Sequence, residues 1–273
     1  MSAILDLGPL KIERGARTLV MGILNVTPDS FSDGGKFDAP AAARAHARAM
    51  LDGGADIIDV GGESTRPGST PVSAEDELAR VLPVLEAIAP LGATISIDTY
   101  KADVARRAIG AGAHIINDVW GLQKDAAMAD TAAELGVPVI MMHNRTAVDE
   151  SIDIVEDINT FFARSIALAE QAGIPKSRMV LDPGIGFGKS IEQNLIVLNR
   201  LGELGVHDLP VLMGTSRKRF IGHILDAEAH DRLFGTIGSN IATLGSGIVD
   251  IVRVHDVKPH VDACRVADAI FRR

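Results

Sequence analysis

Cysteine is nearly absent from the sequence, and positive charge is in the minority. The 273 residues include one cysteine, Cys264, so no disulfide can form within the chain and nothing supports secretion. Acidic residues outnumber basic ones, 36 to 27, for a formal net charge of −9 at pH 7. A nucleic-acid partner would need a local basic patch against this field, and no run rich in lysine and arginine is present. We therefore expect no nucleic-acid partner.

Long apolar runs are missing as well. No apolar segment approaches the roughly 20 residues that a membrane-spanning helix requires. The first residues include an acidic side chain, Asp6, and no basic segment followed by an apolar stretch, so we expect no signal peptide. We therefore expect a cytoplasmic protein that does not associate with a membrane. Its hydrophobic residues, 47% of the chain, suffice for a large core.

A regular alternation of short aliphatic runs and Ala-rich amphipathic stretches fills most of the chain. The aliphatic runs, each predicted to form a strand, are residues 18–24, 55–60, 94–97, 114–116, 137–142, 179–181, 211–213 and 248–252. The amphipathic stretches, each predicted to form a helix, are residues 39–52, 75–88, 102–111, 126–135, 155–172, 191–201, 232–245 and 260–272. Strands that are apolar throughout indicate a parallel sheet with helices on its faces.

The number of strand–helix units narrows the fold class. Eight units favour the α/β class and a closed (β/α)8 TIM barrel over the alternative of an open, doubly wound sheet. Residues 5–17, ahead of the first barrel strand, predict a short N-terminal hairpin at the bottom of the barrel. No linker divides the sequence, and such barrels fill about 250 residues as one domain. We therefore expect a single domain over residues 1–273.

Polar or charged side chains follow every predicted strand at its carboxyl end. In strand order they are Asn25, Asp59 with Glu63, Asp98, Asn117 with Asp118, His143 with Asn144, Asp182, residues 216–218, and Arg253 with His255. One such residue is often only a helix N-cap, but eight in register favour a barrel, because its strand ends meet on one face. Active sites of these barrels lie on that face.

The chemistry of these strand ends divides into two sets. The acidic and amide set comprises Asp98, Asn117 and Asp182, which suit the donor-rich edge of a heterocycle. The basic set comprises Lys218, Arg253 and His255, from the last two strands, where such barrels often hold phosphate. The sequence therefore predicts a ligand with a polar ring at one end and phosphates at the other.

Two loops carry the most specific motifs. Residues 21–35, MGILNVTPDSFSDGG, and residues 61–68, GGESTRPG, closely resemble the two signatures of the dihydropteroate synthase family. Five further blocks follow in the family's order: IDTYK at 97–101, IINDV at 115–119, LDPGIGFGK at 181–189, GTSRK at 214–218 and VRVHDV at 252–257. The blocks span nearly the whole chain, so the resemblance is specific.

The resemblance implies an enzyme that joins 6-hydroxymethyl-7,8-dihydropterin diphosphate to 4-aminobenzoate, giving 7,8-dihydropteroate and diphosphate in folate biosynthesis. The positions that match the family's pterin-binding set are Asp98, Asn117, Asp182 and Lys218. Those that match its diphosphate-binding set are Asn25, Arg66, Arg253 and His255, with Asn25 as the implied ligand of Mg²⁺. Those that match its 4-aminobenzoate-binding set are Thr65, Arg66, Pro67, Phe187 and Ser216. The implied catalytic residues are Lys218, Asp98, Asp182 and Arg253.

The implied reaction places its barrier in the loss of diphosphate. An arylamine is neutral at pH 7 and needs no general base, and a reduced pterin can delocalise positive charge. We therefore expect a dissociative substitution in which the enzyme positions both ligands and stabilises developing charge. Mg²⁺, Arg253 and His255 would take up leaving-group charge, while the carboxylates of Asp98 and Asp182 would stabilise the cationic ring.

Two other functions are compatible with the sequence. A related pterin-binding barrel that transfers a methyl group to a corrinoid would share the ring-binding set, but it would not need Arg66, Lys218 or the pair Arg253 and His255. The second alternative is a pterin-binding paralogue without activity. The resemblance also implies inhibition by sulfonamides and a homodimer, with residues 241–244 and 266–271 as candidate interface faces.

Two residues depart from the pattern expected for the family. Arg219 stands where a small hydroxyl residue is frequent, and it could pair with the carboxylate of 4-aminobenzoate or point to solvent. Trp120 stands where small residues are frequent, and we expect it to pack in the core.

Overall fold

The computed structural model describes residues 4–26, 39–63 and 71–272. Two short antiparallel strands come first, β1 (Ile4–Leu7) and β2 (Leu10–Glu13). Eight parallel strands follow: β3 (Leu19–Asn25), β4 (Ile57–Gly61), β5 (Thr94–Asp98), β6 (Ile115–Asp118), β7 (Val139–Met142), β8 (Met179–Asp182), β9 (Val211–Met213) and β10 (Val249–Val254). Each pairs with the next along the chain, and β10 pairs with β3, which closes the barrel. The predicted TIM barrel is confirmed, and the open sheet is wrong.

Helices follow the barrel strands in sequence. In the described parts of the chain they are α1 (Ala39–Asp52), α2 (Ala74–Ile88), α3 (Ala102–Gly110), α4 (Met128–Leu135), α5 (Ile154–Ala172), α6 (Ile191–Asn199), α7 (Arg219–Leu225), α8 (Leu233–Leu244) and α9 (Val257–Phe271). The amphipathic pattern predicts all of them except α7, whose two turns are too short for a helical period to stand out. Across the residues described, no helix combines the length and the apolarity needed to cross a membrane.

The barrel strands direct alternate side chains into two apolar cores. In β4, Ile57 belongs to the core inside the barrel, whereas Ile58 and Val60 belong to the core between strands and helices. Both faces of each strand are therefore buried, which explains why the strand sequences are apolar without alternation. Each aliphatic side chain buried in this way contributes about 1.5–3 kcal/mol.

The predicted N-terminal hairpin is confirmed, and it plugs the bottom of the barrel. Leu5 and Leu7 of β1 are buried in the inner core. The strand residues of that core are Leu19, Met21, Ile57, Ile115, Ile140, Val180, Leu212 and Ile251. Arg178 Nε donates to Asp6 Oδ2 over 3.2 Å, which anchors β1 to the residue that precedes β8. The hairpin thus completes the core at the end of the barrel opposite to the carboxyl ends of the strands.

Several barrel strands extend further than their aliphatic runs. The aliphatic runs stop before these polar residues, whereas the strands include them: β3 ends at Asn25, β5 at Asp98, β6 at Asp118 and β8 at Asp182. Backbone pairing continues through these polar residues, because the ladder depends on main-chain groups and not on the polarity of the side chain. The polar residues are therefore held by the sheet itself.

Candidate active site

The strand registers bring the predicted polar residues together at the carboxyl edge of the barrel. Gly61 of β4 is paired with Asn25 on one side and with Asp98 on the other. Asp98 is in turn paired with Asn117 of β6. Neighbouring strands lie about 4.8 Å apart, so Asp98 and Asn117 are direct neighbours. Asn25 and Asp98 reach the same space over Gly61, where a Cβ would lie 3.8 Å from Asn25 Oδ1 and 3.7 Å from Asp98 Oδ2. The predicted gathering of functional residues on one face is therefore present in the structure.

A buried ion cluster occupies the centre of this face. Arg253 of β10 donates from Nε to Asp59 Oδ2 over 2.6 Å and from Nη2 to Asp98 Oδ2 over 2.8 Å. Asn117 Nδ2 faces both carboxylate oxygens of Asp59, at 3.3 and 3.4 Å. Asp59 therefore holds one residue predicted to bind diphosphate and one predicted to bind pterin in fixed positions.

The sequence pattern marks Asp59 only as a polar residue near a strand end and does not predict that it binds a ligand or another site residue. The residue lies two positions beyond Ile57 in β4, so its side chain enters the barrel interior, and it is fully buried. One feature of the sequence indicates such a role: Asp59 is an ionisable residue between Ile58 and Val60, inside an apolar strand. Because a buried carboxylate needs a charged or donor partner, such a residue predicts a cation on a neighbouring strand.

Two acceptors in the cluster lack a protein partner. Among the described residues, Asp98 Oδ1 and Asn117 Oδ1 are buried and accept no hydrogen bond. Leaving a buried acceptor unsatisfied costs about 1–3 kcal/mol, so such atoms indicate a ligand that brings donors. Both oxygens lie on neighbouring strands at paired positions. The site is thus prepared for a molecule with several N–H groups along one edge.

The ionisation of the cluster reflects its burial. Burial raises the pKa of Asp98 to about 7, with Arg253 acting in the opposite direction and Asp59 adding to the rise. Burial alone would lower the pKa of Arg253, but the carboxylates of Asp59 and Asp98 outweigh it, so its pKa lies above the ordinary value. The guanidinium therefore stays charged, while Asp98 can change its protonation state near neutral pH.

Asp182 has a structural contact in addition to its predicted role. Its Oδ1 accepts the backbone N–H of Gly184 over 2.7 Å, which caps the turn that follows β8. Burial raises the pKa of Asp182, against the lowering effects of the Gly184 N–H and Lys218. A carboxylate has about four acceptor sites, so one bond to the turn leaves capacity for a ligand. The cap and the pterin-binding role are compatible.

Lys218 and Phe187 lie against each other. Lys218 Nζ is 4.1 Å from the centroid of the Phe187 ring, a cation–π distance. Phe187 belongs to the loop between β8 and α6, and Lys218 lies directly before α7. The pairing joins a residue predicted to bind pterin to one predicted to bind 4-aminobenzoate, so the two predicted subsites adjoin here.

Ser216 and His255 form a second pair. Ser216 Oγ lies 2.9 Å from His255 Nδ1 and accepts the backbone N–H of His255 over 3.2 Å. A hydroxyl that donates to Nδ1 leaves the hydrogen of the neutral ring on Nε2. Burial lowers the pKa of His255 to about 3, and Arg217 and Arg253 act in the same direction. His255 is therefore neutral at pH 7, and in that tautomer it can donate one hydrogen bond from Nε2.

The remaining predicted residues are those of the second loop and the predicted metal ligand, Asn25. Thr65, Arg66 and Pro67 lie outside the described residues. Asn25 is half-buried at the end of β3. Within residues 4–26, 39–63 and 71–272, no group of three or more His, Cys, Asp or Glu side chains could hold a metal ion. An ion at the neutral amide of Asn25 would take its other ligands from phosphate and water, as Mg²⁺ usually does.

The two residues that depart from the family pattern lie outside the ion cluster. Arg219 is exposed at the start of α7, which agrees with the alternative in which it points to solvent. Trp120 is only half-buried, and Lys124 Nζ lies 4.8 Å from the centroid of its ring. The expectation that Trp120 packs in the core is therefore wrong. Its backbone N–H donates to Asp118, which holds the turn after β6.

Comparisons with known proteins assign the family. The family model described as pterin binding enzyme matches residues 21–255. A dihydropteroate synthase of Bacillus subtilis is 48% identical over 266 residues, which cover 97% of this chain and 93% of that protein. The chain belongs to the dihydropteroate synthase family.

Solved structures of this family agree with that assignment. A dihydropteroate synthase of Clostridium difficile, crystallised in the presence of pteroic acid, is 50% identical with a TM-score of 0.93 and covers 96% of this chain and 100% of its own. The Xanthomonas albilineans enzyme with 4-aminobenzoic acid is 42% identical with a TM-score of 0.93, covering 99% of this chain and 98% of its own. The predictions of family, fold and a transferase activity are confirmed. The corrinoid methyltransferase alternative thereby loses its support.

Proposed function

We propose that this chain condenses 6-hydroxymethyl-7,8-dihydropterin diphosphate with 4-aminobenzoate, releasing 7,8-dihydropteroate and diphosphate. The observation that carries this proposal is the pair of buried, unpartnered oxygens, Asp98 Oδ1 and Asn117 Oδ1, found among the described residues. The amino and ring N–H groups of a pterin supply donors on one edge. Such donors would satisfy these oxygens, and Asp182 lies on the same face to accept a further bond.

The cationic residues of the site suit the diphosphate. The bonds to Asp59 and Asp98 use only part of the five donors of Arg253, so the guanidinium can bind a phosphate oxygen while it stays anchored. The neutral ring of His255 can donate from Nε2 to a second oxygen. Because these groups are held before the substrate arrives, they stabilise charge on the leaving group without reorganisation.

The substitution is proposed to be dissociative. The arylamine is already neutral and needs no general base to attack, so breaking of the C–O bond to diphosphate limits the step. The new C–N bond leaves a cationic nitrogen, which loses its proton to the released diphosphate or to water. As positive charge develops on the pterin, the carboxylates of Asp98 and Asp182 stabilise it through the ring N–H groups. Mg²⁺, held by Asn25 and the phosphates, would neutralise charge on diphosphate. Lys218 donates to the ring carbonyl and N5 and fixes the ring between the two ends of the site.

The second substrate is placed by the residues around Phe187. The Phe187 ring can contact the ring of 4-aminobenzoate by its face or edge. Ser216, with Thr65, Arg66 and Pro67 of the second loop, would complete this subsite. Sulfonamides carry an aniline nitrogen and an acidic sulfonyl group, so we expect them to compete with 4-aminobenzoate for it.

Incorporation of radiolabelled 4-aminobenzoate tests the proposed reaction. The label should enter a pteroate product only when pterin diphosphate and Mg²⁺ are both present. Incorporation that does not depend on pterin diphosphate would contradict the proposal. Complete inactivity with both substrates would favour the alternative of an inactive pterin-binding paralogue.

We also propose that the protein is a cytoplasmic homodimer. Large apolar side chains are exposed on α8 and α9, including Phe234 (83%), Val266 (63%) and Ile270 (61%). Leu244, at the end of the predicted face at residues 241–244, is buried in the core and would not contribute to such an interface. The cytoplasmic location rests on the single, buried Cys264. Light scattering with Phe234→Glu and Val266→Glu variants tests the dimer.

A further inference from the structure

Lys189 is a buried cation that the proposed reaction does not use. Its side chain is 7% exposed, at the end of the loop between β8 and α6. Its Nζ lies 2.8 Å from the carbonyl oxygen of Gly184, 3.2 Å from that of Phe187 and 2.8 Å from Nδ1 of His143. An ammonium has three donors, so these three acceptors saturate it and leave none for a ligand. Burial lowers the pKa of Lys189 to about 7, with Asp182 acting in the opposite direction.

The contacts of Lys189 continue outward to α5. His143 Nε2 lies 3.0 Å from Asp157 Oδ2. In the ammonium form of Lys189, Nζ donates to Nδ1, which places the ring hydrogen on Nε2 next to Asp157. Arg145 Nη1 donates to the same carboxylate oxygen over 2.7 Å. Burial lowers the pKa of His143 to about 3, and Lys189 acts in the same direction, so the ring is neutral.

The loop that Lys189 holds packs directly on the backbone after β7. Gly184 has a φ of +64°, and a Cβ there would lie 1.9 Å from the carbonyl oxygen of His143. Gly188 has a φ of +57°, and a Cβ there would lie 2.4 Å from the carbonyl oxygen of Arg145. Both positions therefore require glycine. Ile185 is buried in the core and the Gly186 N–H donates to Asn194 Oδ1 over 2.6 Å, and the hydrogen bonds from Lys189 add a restraint on the loop backbone at Gly184 and Phe187.

Between these glycines the loop faces the reaction site. The Phe187 ring lies under Lys218 Nζ, and a Cβ at Gly186 would come within 3.0 Å of Lys218 Cδ. Lys189 binds the carbonyl oxygen of Phe187 itself, so it restrains the backbone that carries this ring. A shift of the loop would move the Phe187 ring away from Lys218 Nζ.

We propose that Lys189, oriented by His143 and Asp157, is a positioning residue that holds Phe187 against Lys218 and thereby sets the affinity for 4-aminobenzoate. This inference rests on the proposed function for the identity of the aromatic substrate. It concerns a residue that contacts neither substrate, and its effect is transmitted through the loop.

The test compares Lys189→Met with Lys176→Met. Methionine fills similar space but donates no hydrogen bond, whereas Lys176 is an exposed lysine that pairs only with Glu170 in the part of the chain that is described. We expect Lys189→Met to raise KM for 4-aminobenzoate about tenfold, because small misplacements of contact residues cost this much or more. KM for pterin diphosphate should rise by a smaller factor, since Asp98 and Asn117 are held by strands and, of the pterin-binding residues, only Lys218 loses its contact with Phe187. Lys176→Met should change neither.

A readout without substrates separates positioning from general stability. Hydrogen exchange of the free protein should increase in peptides covering residues 183–190 in Lys189→Met and stay unchanged elsewhere. Asp157→Asn, which leaves the loop sequence intact, should raise both KM for 4-aminobenzoate and loop exchange in the same direction, by a smaller factor. This second variant decides the question if Lys189→Met does not fold.

Two results would overturn the positioning role. One is faster loop exchange with no change in KM for 4-aminobenzoate; the other is an equal rise in both KM values with faster exchange throughout the protein. If the wild-type chain itself formed no pteroate, the proposed reaction would be wrong. Loop exchange, together with the position of Phe187 in a crystal structure of Lys189→Met, would then still decide whether Lys189 holds the loop.

Discussion

The two ends of the barrel differ in what they bury. At the bottom, Leu5 and Leu7 of the hairpin join strand side chains in an apolar core. At the carboxyl end, the interior of the same barrel contains Asp59, Asp98 and Arg253 in contact with one another. Apolar burial stabilises the fold, whereas buried charge and unpartnered acceptors cost free energy in the absence of a ligand. The comparison indicates that stability is concentrated at one end and ligand binding at the other.

The largest expected effect is on the apolar end. Leu7→Ala should lower the free energy of unfolding by about 2–5 kcal/mol, because it leaves a cavity in a fully buried core. Leu10→Ala on the same hairpin, where the side chain is only half-buried, should cost less. Denaturant unfolding measures both. If Leu7→Ala also lowered kcat/KM at denaturant concentrations well below its unfolding midpoint, where the variant is folded, the two ends would not be independent.

Lys218→Ala should have the opposite profile at the carboxyl end. Turnover should fall by a factor that corresponds to about 2–4 kcal/mol of transition-state stabilisation, because a preorganised cation in the site is removed. The free energy of unfolding should change little. Lys258→Ala, on the exposed surface of α9, is the matched control and should leave kcat unchanged. Near wild-type turnover in Lys218→Ala would remove it from the site.

Asp182→Asn sharpens the comparison within the carboxyl end. An amide cannot accept two parallel bonds, and its NH2 group would face the donors of the pterin ring, so pterin affinity should fall by about 1–3 kcal/mol. Affinity for 4-aminobenzoate should fall much less. Calorimetric titration with each ligand measures both. Equal losses would mean that Asp182 acts only as the cap for Gly184.

The smallest expected effect is a pH dependence of pterin binding. Burial raises the pKa of Asp98 to about 7, so its carboxyl is protonated below that pH and ionised above it. Only the ionised form accepts a ring donor at Oδ1 while Oδ2 accepts from Arg253. Pterin affinity should therefore rise with pH, by at most about tenfold per unit below the pKa, and level off above it. The rise should be lost in Asp98→Asn; a rise that persists there would assign it to another group.

The sequence predicts the barrel and most of the carboxyl-edge residues because apolar runs and the polar residues that end them are local features. It does not show which polar residue faces which partner. Asp118 ends a strand in the same pattern as Asp98, yet it accepts the backbone N–H groups of Trp120 and Leu122 and holds a turn. His143 likewise holds a loop, through Lys189.

Contacts between distant segments are the part that local pattern cannot supply. Arg253 and Asp59 are 194 positions apart in the chain, and their pairing depends on closure of the barrel. The same holds for Ser216 and His255, which were assigned to different ligands and form one pair. The number of strands predicts that the barrel closes, but it does not predict which side chains meet when β10 pairs with β3.

A crystal structure of this chain with a 6-hydroxymethyl pterin tests most directly whether the carboxyl end is completed by its ligand. We expect ring N–H groups within hydrogen-bond distance of Asp98 Oδ1, Asn117 Oδ1 and Asp182, with Arg253 still bound to Asp59. A pterin bound elsewhere, or a ring in this site that leaves both oxygens without a donor, would contradict it.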